Sequence, residues 1–170
     1  MPRRQAKPVV FEDAKLTAFY DRLAEFKKTK VRIGFQAPEG KEKYESGISV
    51  AKLAAVQEFG DDDGDLPARP FMRSTIHEKA GQIASFNEAQ VKLVVADLKT
   101  PTEAMGDIGS NILSLIKQKL LNAASWAEQD EPKTVAEKGS ATPLRDTDKL
   151  LDALSWRVHS GRNELARGKT

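Results

Sequence analysis

The 170-residue chain contains no cysteine, which excludes a disulfide framework, a thiolate zinc site and a cysteine nucleophile. Histidine is almost as scarce. His77 and His159 are the only two, and an isolated histidine is more often a surface or boundary residue than a base or a ligand. Apolar runs are too short to cross a bilayer, and Met1-Pro2-Arg3-Arg4 is not followed by the apolar core of a secretory signal. The chain is therefore expected to act where it is synthesised. With 8 prolines and 11 glycines the composition is neither collagenous nor disordered, and there is no internal repeat. What is present, 39% hydrophobic and 31% charged residues, describes a soluble, ordered, helix-rich chain of a length suited to one core.

Net charge is only +2, but it is unevenly spread. Residues 1–8 carry Arg3, Arg4 and Lys7 without an acid; residues 156–170 carry Arg157, Arg162, Arg167 and Lys169 against Glu164. With +3 at each end and a total of +2, the body stands at −4. Basic ends on an acidic body suit arms that pair with a neighbour's acidic surface, and they also suit simple solvation of chain ends.

Periodicity outlines the elements. Leu16, Phe19, Tyr20, Leu23 and Phe26 recur at helical spacing over 12–29, with Lys27, Lys28 and Lys30 complementing the helix dipole at its end. Val31, Ile33 and Phe35 then alternate with Arg32, Gly34 and Gln36 as a half-buried strand, ended by Pro38-Glu39-Gly40. Residues 37–47 read as a surface loop. Ser49 can cap a helix over Val50–Phe59 that Gly60 stops, and its apolarity predicts burial. Pro67 and Pro70 hold 66–71 extended. A long helix is expected from Phe71 to Leu98, weakest at Gly81, and Thr100-Pro101-Thr102-Glu103 is a capping box for another reaching Ala124. Residues 127–147 lose periodicity and read as a long loop. A short helix from Lys149 and a strand around Trp156 and Val158 follow. The predicted fold class is α+β: a small antiparallel or mixed sheet packed with several helices, including a long central helix or helical hairpin. The predicted organisation is a basic arm over 1–10, one domain over 11–160 and a basic tail over 161–170.

Chemical motifs are few. The acidic run Asp61, Asp62, Asp63 and Asp65 lacks the spacing of a calcium loop, since Met72 stands where the twelfth-position Glu belongs. Gly168-Lys169-Thr170 resembles the end of a phosphate loop, but Asn163 replaces its leading glycine. Neither a Gly-x-Ser-x-Gly elbow nor His-Glu-x-x-His occurs. No metal, cofactor or catalytic role is expected, and an assembly module is the default.

Two segments narrow this. Val50-Ala51-Lys52-Leu53-Ala54-Ala55-Val56-Gln57-Glu58-Phe59-Gly60, a short insert and Leu66-Pro67-Ala68-Arg69-Pro70-Phe71-Met72-Arg73 form the first. Thr142-Pro143-Leu144-Arg145-Asp146-Thr147-Asp148-Lys149-Leu150-Leu151-Asp152-Ala153-Leu154-Ser155-Trp156-Arg157-Val158 forms the second. In this order they resemble the signature of tailed-bacteriophage neck and tail-completion proteins, also described as virion morphogenesis or minor tail proteins. The resemblance spans Val31 to about Val158. It departs at Asp148, where that family usually has glycine, although aspartate can also take a left-handed turn.

The resemblance implies a non-enzymatic α+β subunit that assembles with itself as a ring, commonly of six copies, at the junction of head connector and tail tube. Its partners would be neighbouring neck, head-closure or tail-tube proteins, with transient contact to passing DNA and no membrane. It would be made in the host bacterial cytoplasm and reside in the virion. Within the first segment, Pro67 and Pro70 supply stiffness, Arg69 and Arg73 forked donors, and Phe71 and Met72 apolar anchors, the inventory of a subunit contact strip. The same residues also fit an internal role, Phe71 and Met72 as core and Arg69 as a donor to its own carbonyls. Arg3, Arg4 and Lys7 are candidates to dock on a neighbour's Asp61, Asp62, Asp63 and Asp65. The rival readings are a sequence-independent DNA-binding protein using the basic ends, and a small hydrolase using carboxylates that no spacing singles out.

Overall fold

Asp13 starts the first helix by accepting hydrogen bonds from the N–H groups of Lys15 and Leu16. In the computed structural model, which describes residues 13–60, 66–127 and 148–169, helix α1 (Ala14–Lys28) runs directly into strand β1 (Thr29–Phe35). A single 3-10 turn (Glu39–Lys41) leads to α2 (Val50–Phe59), then α3 (Phe71–Glu78), α4 (Ala80–Val95) and α5 (Pro101–Leu121). After a second 3-10 turn (Ala123–Ser125), the described chain resumes with α6 (Lys149–Ala153), β2 (Leu154–Ser160) and β3 (Asn163–Gly168). The arm at 1–10, the acidic run at 61–65 and residues 128–147 of the expected loop lie outside the described residues. None of the described helices is long and apolar enough to cross a membrane.

The fold class is α+β, with an antiparallel sheet in the order β1-β2-β3. Sequence-distant β2 is the central strand, and Val31 pairs with Val158 and Ile33 with Trp156. The long helix α5 covers one face of the sheet. Its Thr100–Glu103 capping box is present in both directions. Close approach depends on Gly109: a Cβ there would lie 2.7 Å from Cγ2 of Val31 and 3.0 Å from Cβ of Trp156, so a methyl would push the helix off the sheet. Beyond the sheet, Leu113, Ile116 and Leu120 of α5 meet Val50 and Ala54 of α2, Phe71 of α3, and Leu150, Ala153 and Leu154 in one core.

The structure corrects three expectations. The helix expected over Phe71–Leu98 is interrupted at Lys79, although hydrogen bonding continues from Lys79 N–H to Thr75 and from Ile83 N–H to Lys79. The interruption falls two residues before Gly81. The basic tail at 161–170 is instead a turn at Gly161-Arg162 followed by β3, which pairs with β2 through a bulge at Val158/His159. A strand reading Asn-Glu-Leu-Ala-Arg-Gly has little propensity of its own, so it forms because β2 offers it a ladder. Charge then ties its end down. Glu39 lies below the usual carboxylate pKa range because it accepts from its own backbone N–H and from Lys169, whose Nζ is 3.0 Å away.

The third correction concerns α2. Its apolar composition predicts burial all round, yet only Val50, Ala54 and Glu58 are buried and Phe59 is 64% exposed. In the second motif, Asp148 does take the left-handed turn, with φ +57° immediately before α6.

Candidate functional site

The first motif folds as a clasp between the end of α2 and the start of α3. Ser49 caps α2, accepting from the Lys52 N–H, and ten residues of helix bring Gln57 and Glu58 to its far end. The chain then returns in extended form. The Arg69 N–H donates to the Gln57 carbonyl at 2.7 Å, and Arg69 Nη1 donates to Gln57 Oε1 at 3.2 Å. One step further, α3 begins without a capping side chain of its own, because Pro70 occupies that position.

Glu58 supplies the missing cap from another helix. Its Oε2 accepts from the Met72 N–H at 2.8 Å and its Oε1 from the Arg73 N–H at 2.9 Å. A carboxylate facing two free N–H groups at a helix N-terminus also meets the positive end of the dipole. Arg73 closes the arrangement with Nε donating to Oε1 at 3.0 Å and Nη2 to the Glu58 carbonyl at 2.7 Å. The Glu58 side chain is only 5% exposed, so these contacts form in a weakly screened environment. Its neighbour Phe59 turns outward, and the Arg73 guanidinium lies over its ring at 4.6 Å.

This geometry divides the expected contact strip. Phe71 is fully buried in the core, edge-on to Phe35 with 6.1 Å between ring centroids. Arg69 is buried too, and Pro70 and Met72 are half-buried. Of the strip, Leu66, Pro67, Ala68 and Arg73 face solvent, and Arg73 is already engaged by Glu58. Arg69 and Phe71 are thus internal, which corrects the contact-strip reading for both. The prolines stiffen a return path inside the subunit. Arg69→Ala is accordingly expected to lower folding stability by about 2 kcal/mol, through lost hydrogen bonds of a buried charged donor. Urea denaturation checks this, and an unchanged midpoint would restore an outward role.

One open surface is apolar. The free edge of β1, at Ile33 and Phe35, and the exposed side of α2, at Ala51, Ala55 and Phe59, border a groove of about 450 Å³ with Met72 and Arg73 at one end. On the other side of the molecule's sequence order, α1 contributes no buried residue at all. Leu16 is 51% and Tyr20 61% exposed. Arg22 bonds Asp97 at 3.1 Å and holds α1 against the end of α4, where Leu98 is also exposed.

Among the described residues, no cluster of three or more His, Asp or Glu could hold a metal ion. No family model, curated protein or solved structure matches the chain.

Proposed function

We propose that this chain is a structural subunit of a tailed-phage virion, a tail-completion or tail-terminator-type protein that forms a ring of like copies at the neck. The observation that carries the assembly part of this reading is α1. Phe19, Leu23 and Phe26 of this 15-residue helix are half-buried, but Leu16 and Tyr20 on the same helix are more than half exposed and leave apolar surface in water. Covering such a face by a second copy removes that surface at a gain of about 25 cal/mol per Å². The virion assignment draws on the two motif segments, whose first half works as an internal clasp that fixes α2 against α3.

In this reading the ring contacts its neck, head-closure or tail-tube neighbours through faces outside the clasp. Because Leu16 and Tyr20 are exposed, Leu16→Glu with Tyr20→Glu is expected to leave the subunit's stability within about 0.5 kcal/mol of the parent. The same change should abolish ring formation. Urea denaturation measures the first, and light scattering after gel filtration, with electron microscopy of the particles, measures the second. A parent chain that stays monomeric at every concentration, or a doubly charged variant that still forms rings, would sink the reading of α1. Immunolabelling of virions would place the subunit at the neck or refute that position.

A further inference from the structure

The face of the sheet away from α5 is basic, and the register explains why. Val31 and Trp156 point at α5, so alternation along each strand sends Lys30 and Arg32 to the opposite face. Their cross-strand partners follow them. Arg32 pairs with Arg157 and Arg157 with Arg167, a row of three arginines across three strands; Lys30 pairs with His159. Like charges directly opposite one another on a sheet are destabilising. Glu39 and Glu164 answer Arg157, and Glu164 also lies 3.8 Å from Arg167. Among the described residues, Lys30 and Arg32 receive no such answer.

At the β1 end of this face, Lys27 and Lys28 from the last turn of α1 join Lys30, Arg32 and His159 around an open cleft of about 500 Å³. Ser160 and Gly161 also line it, and among the described residues the lining contains neither a carboxylate nor an apolar side chain. None of the four cations has an acidic partner among the described residues. His159 forms the β2 side of the cleft.

We propose that this face binds the phosphodiester backbone of duplex DNA, independently of sequence, through Lys27, Lys28, Lys30 and Arg32. Two features favour a nucleic acid over an acidic protein segment. Protein interfaces are depleted of charge at their centres and anchored by apolar and aromatic groups, whereas protein–DNA interfaces are strongly positive and polar. The cleft is also open and its cations sit on long exposed arms across two elements, a layout suited to successive charges of a polyanion rather than to one enclosed anion. The site uses none of the residues of the basic arm at 1–10, and binding by it does not depend on ring formation, so its failure leaves the proposed function standing.

The test is fluorescence anisotropy of a labelled 30-bp duplex with the full chain across a salt series, using two unrelated sequences. Each neutralised phosphate contributes about −0.9 to the slope of log affinity against log salt, so four cations predict a slope of about −3 to −4. Lys30→Glu with Arg32→Glu should weaken binding at least tenfold and flatten the slope by about 2, with the melting temperature as fold control. If that variant does not fold, Lys30→Gln with Arg32→Gln should still flatten the slope by about 2. Four results would overturn the proposal. These are an unchanged slope in the folded variant; loss confined to an Arg3→Ala, Arg4→Ala, Lys7→Ala chain; lost self-association with DNA binding intact, which would indicate an acidic protein partner; and displacement of the duplex by inorganic phosphate beyond that of chloride at equal ionic strength, which would indicate a single-anion site.

Discussion

Glu58→Ala should remove about 2–4 kcal/mol of folding stability, because two backbone donors lose their charged acceptor at roughly 1–3 kcal/mol each. The carboxylate serves three donors at once: the N–H groups of Met72 and Arg73 and the Nε of Arg73. Alanine leaves the first turn of α3 without a cap in a site where water is largely excluded. The Arg73 side chain, 58% exposed, can swing out to solvent, but the backbone donors cannot. Arg73→Ala should therefore cost much less, about 1 kcal/mol. Glu58→Gln is the diagnostic intermediate. Its amide keeps the size and one acceptor oxygen but loses the charge, so a loss of about 1–3 kcal/mol is expected. Urea denaturation of the three variants gives the ordering. A loss below about 1 kcal/mol for Glu58→Ala would mean that α3 holds its position without the clasp.

Glu58 also marks where sequence reading stops. The cap of α5 was legible because Thr100 and Glu103 are three residues apart and satisfy one another locally. Ser49 before α2 is legible for the same reason, whereas the left-handed turn at Asp148 before α6 is expected only from the glycine that the resembled family carries there. The clasp joins residues 14 and 15 positions apart, across a turn whose course no periodicity specifies, so Glu58 reads as one more polar residue on an apolar helix. Hydrophobicity alone overstates the burial of α2 in the same way. It counts Phe59 as core, whereas the sequence does not say which side of the helix meets α5. β3 escaped because its stability comes from the ladder offered by β2, and the basic sheet face escaped because Lys27, Lys28 and Lys30 already had a local explanation at the end of α1. The alternation of Lys30 and Arg32 with Val31 and Ile33 was the available signal. Its meaning depended on knowing that Arg157 and His159 would lie beside them.

The same division between local and distant contacts decides the role of Phe71. As part of an exposed strip it would be an anchor for a neighbour, and truncation would weaken assembly while sparing the fold. As a residue with no exposed surface, packed with Val50 and Ala54 of α2 and Leu113 and Ile116 of α5 and set edge-on to Phe35, it joins three layers of the core. Phe71→Ala should then cost about 3–5 kcal/mol, the transfer free energy of the ring plus the cavity that rigid neighbours fail to close. At about 2–4 °C per kcal/mol for a chain of this size, the melting temperature should fall by roughly 10 °C. Phe71→Leu separates lost packing from a lost contact surface. It refills much of the volume and should recover most of the stability, to within about 1.5 kcal/mol of the parent. If Phe71 anchored a neighbour instead, both variants would melt with the parent and differ from it only in the size of particle they form. Calorimetry on the dilute subunit, followed by light scattering at high concentration, therefore gives opposite results for the two roles, and the packing around Phe35 and Leu113 requires the loss to appear in the melting curve.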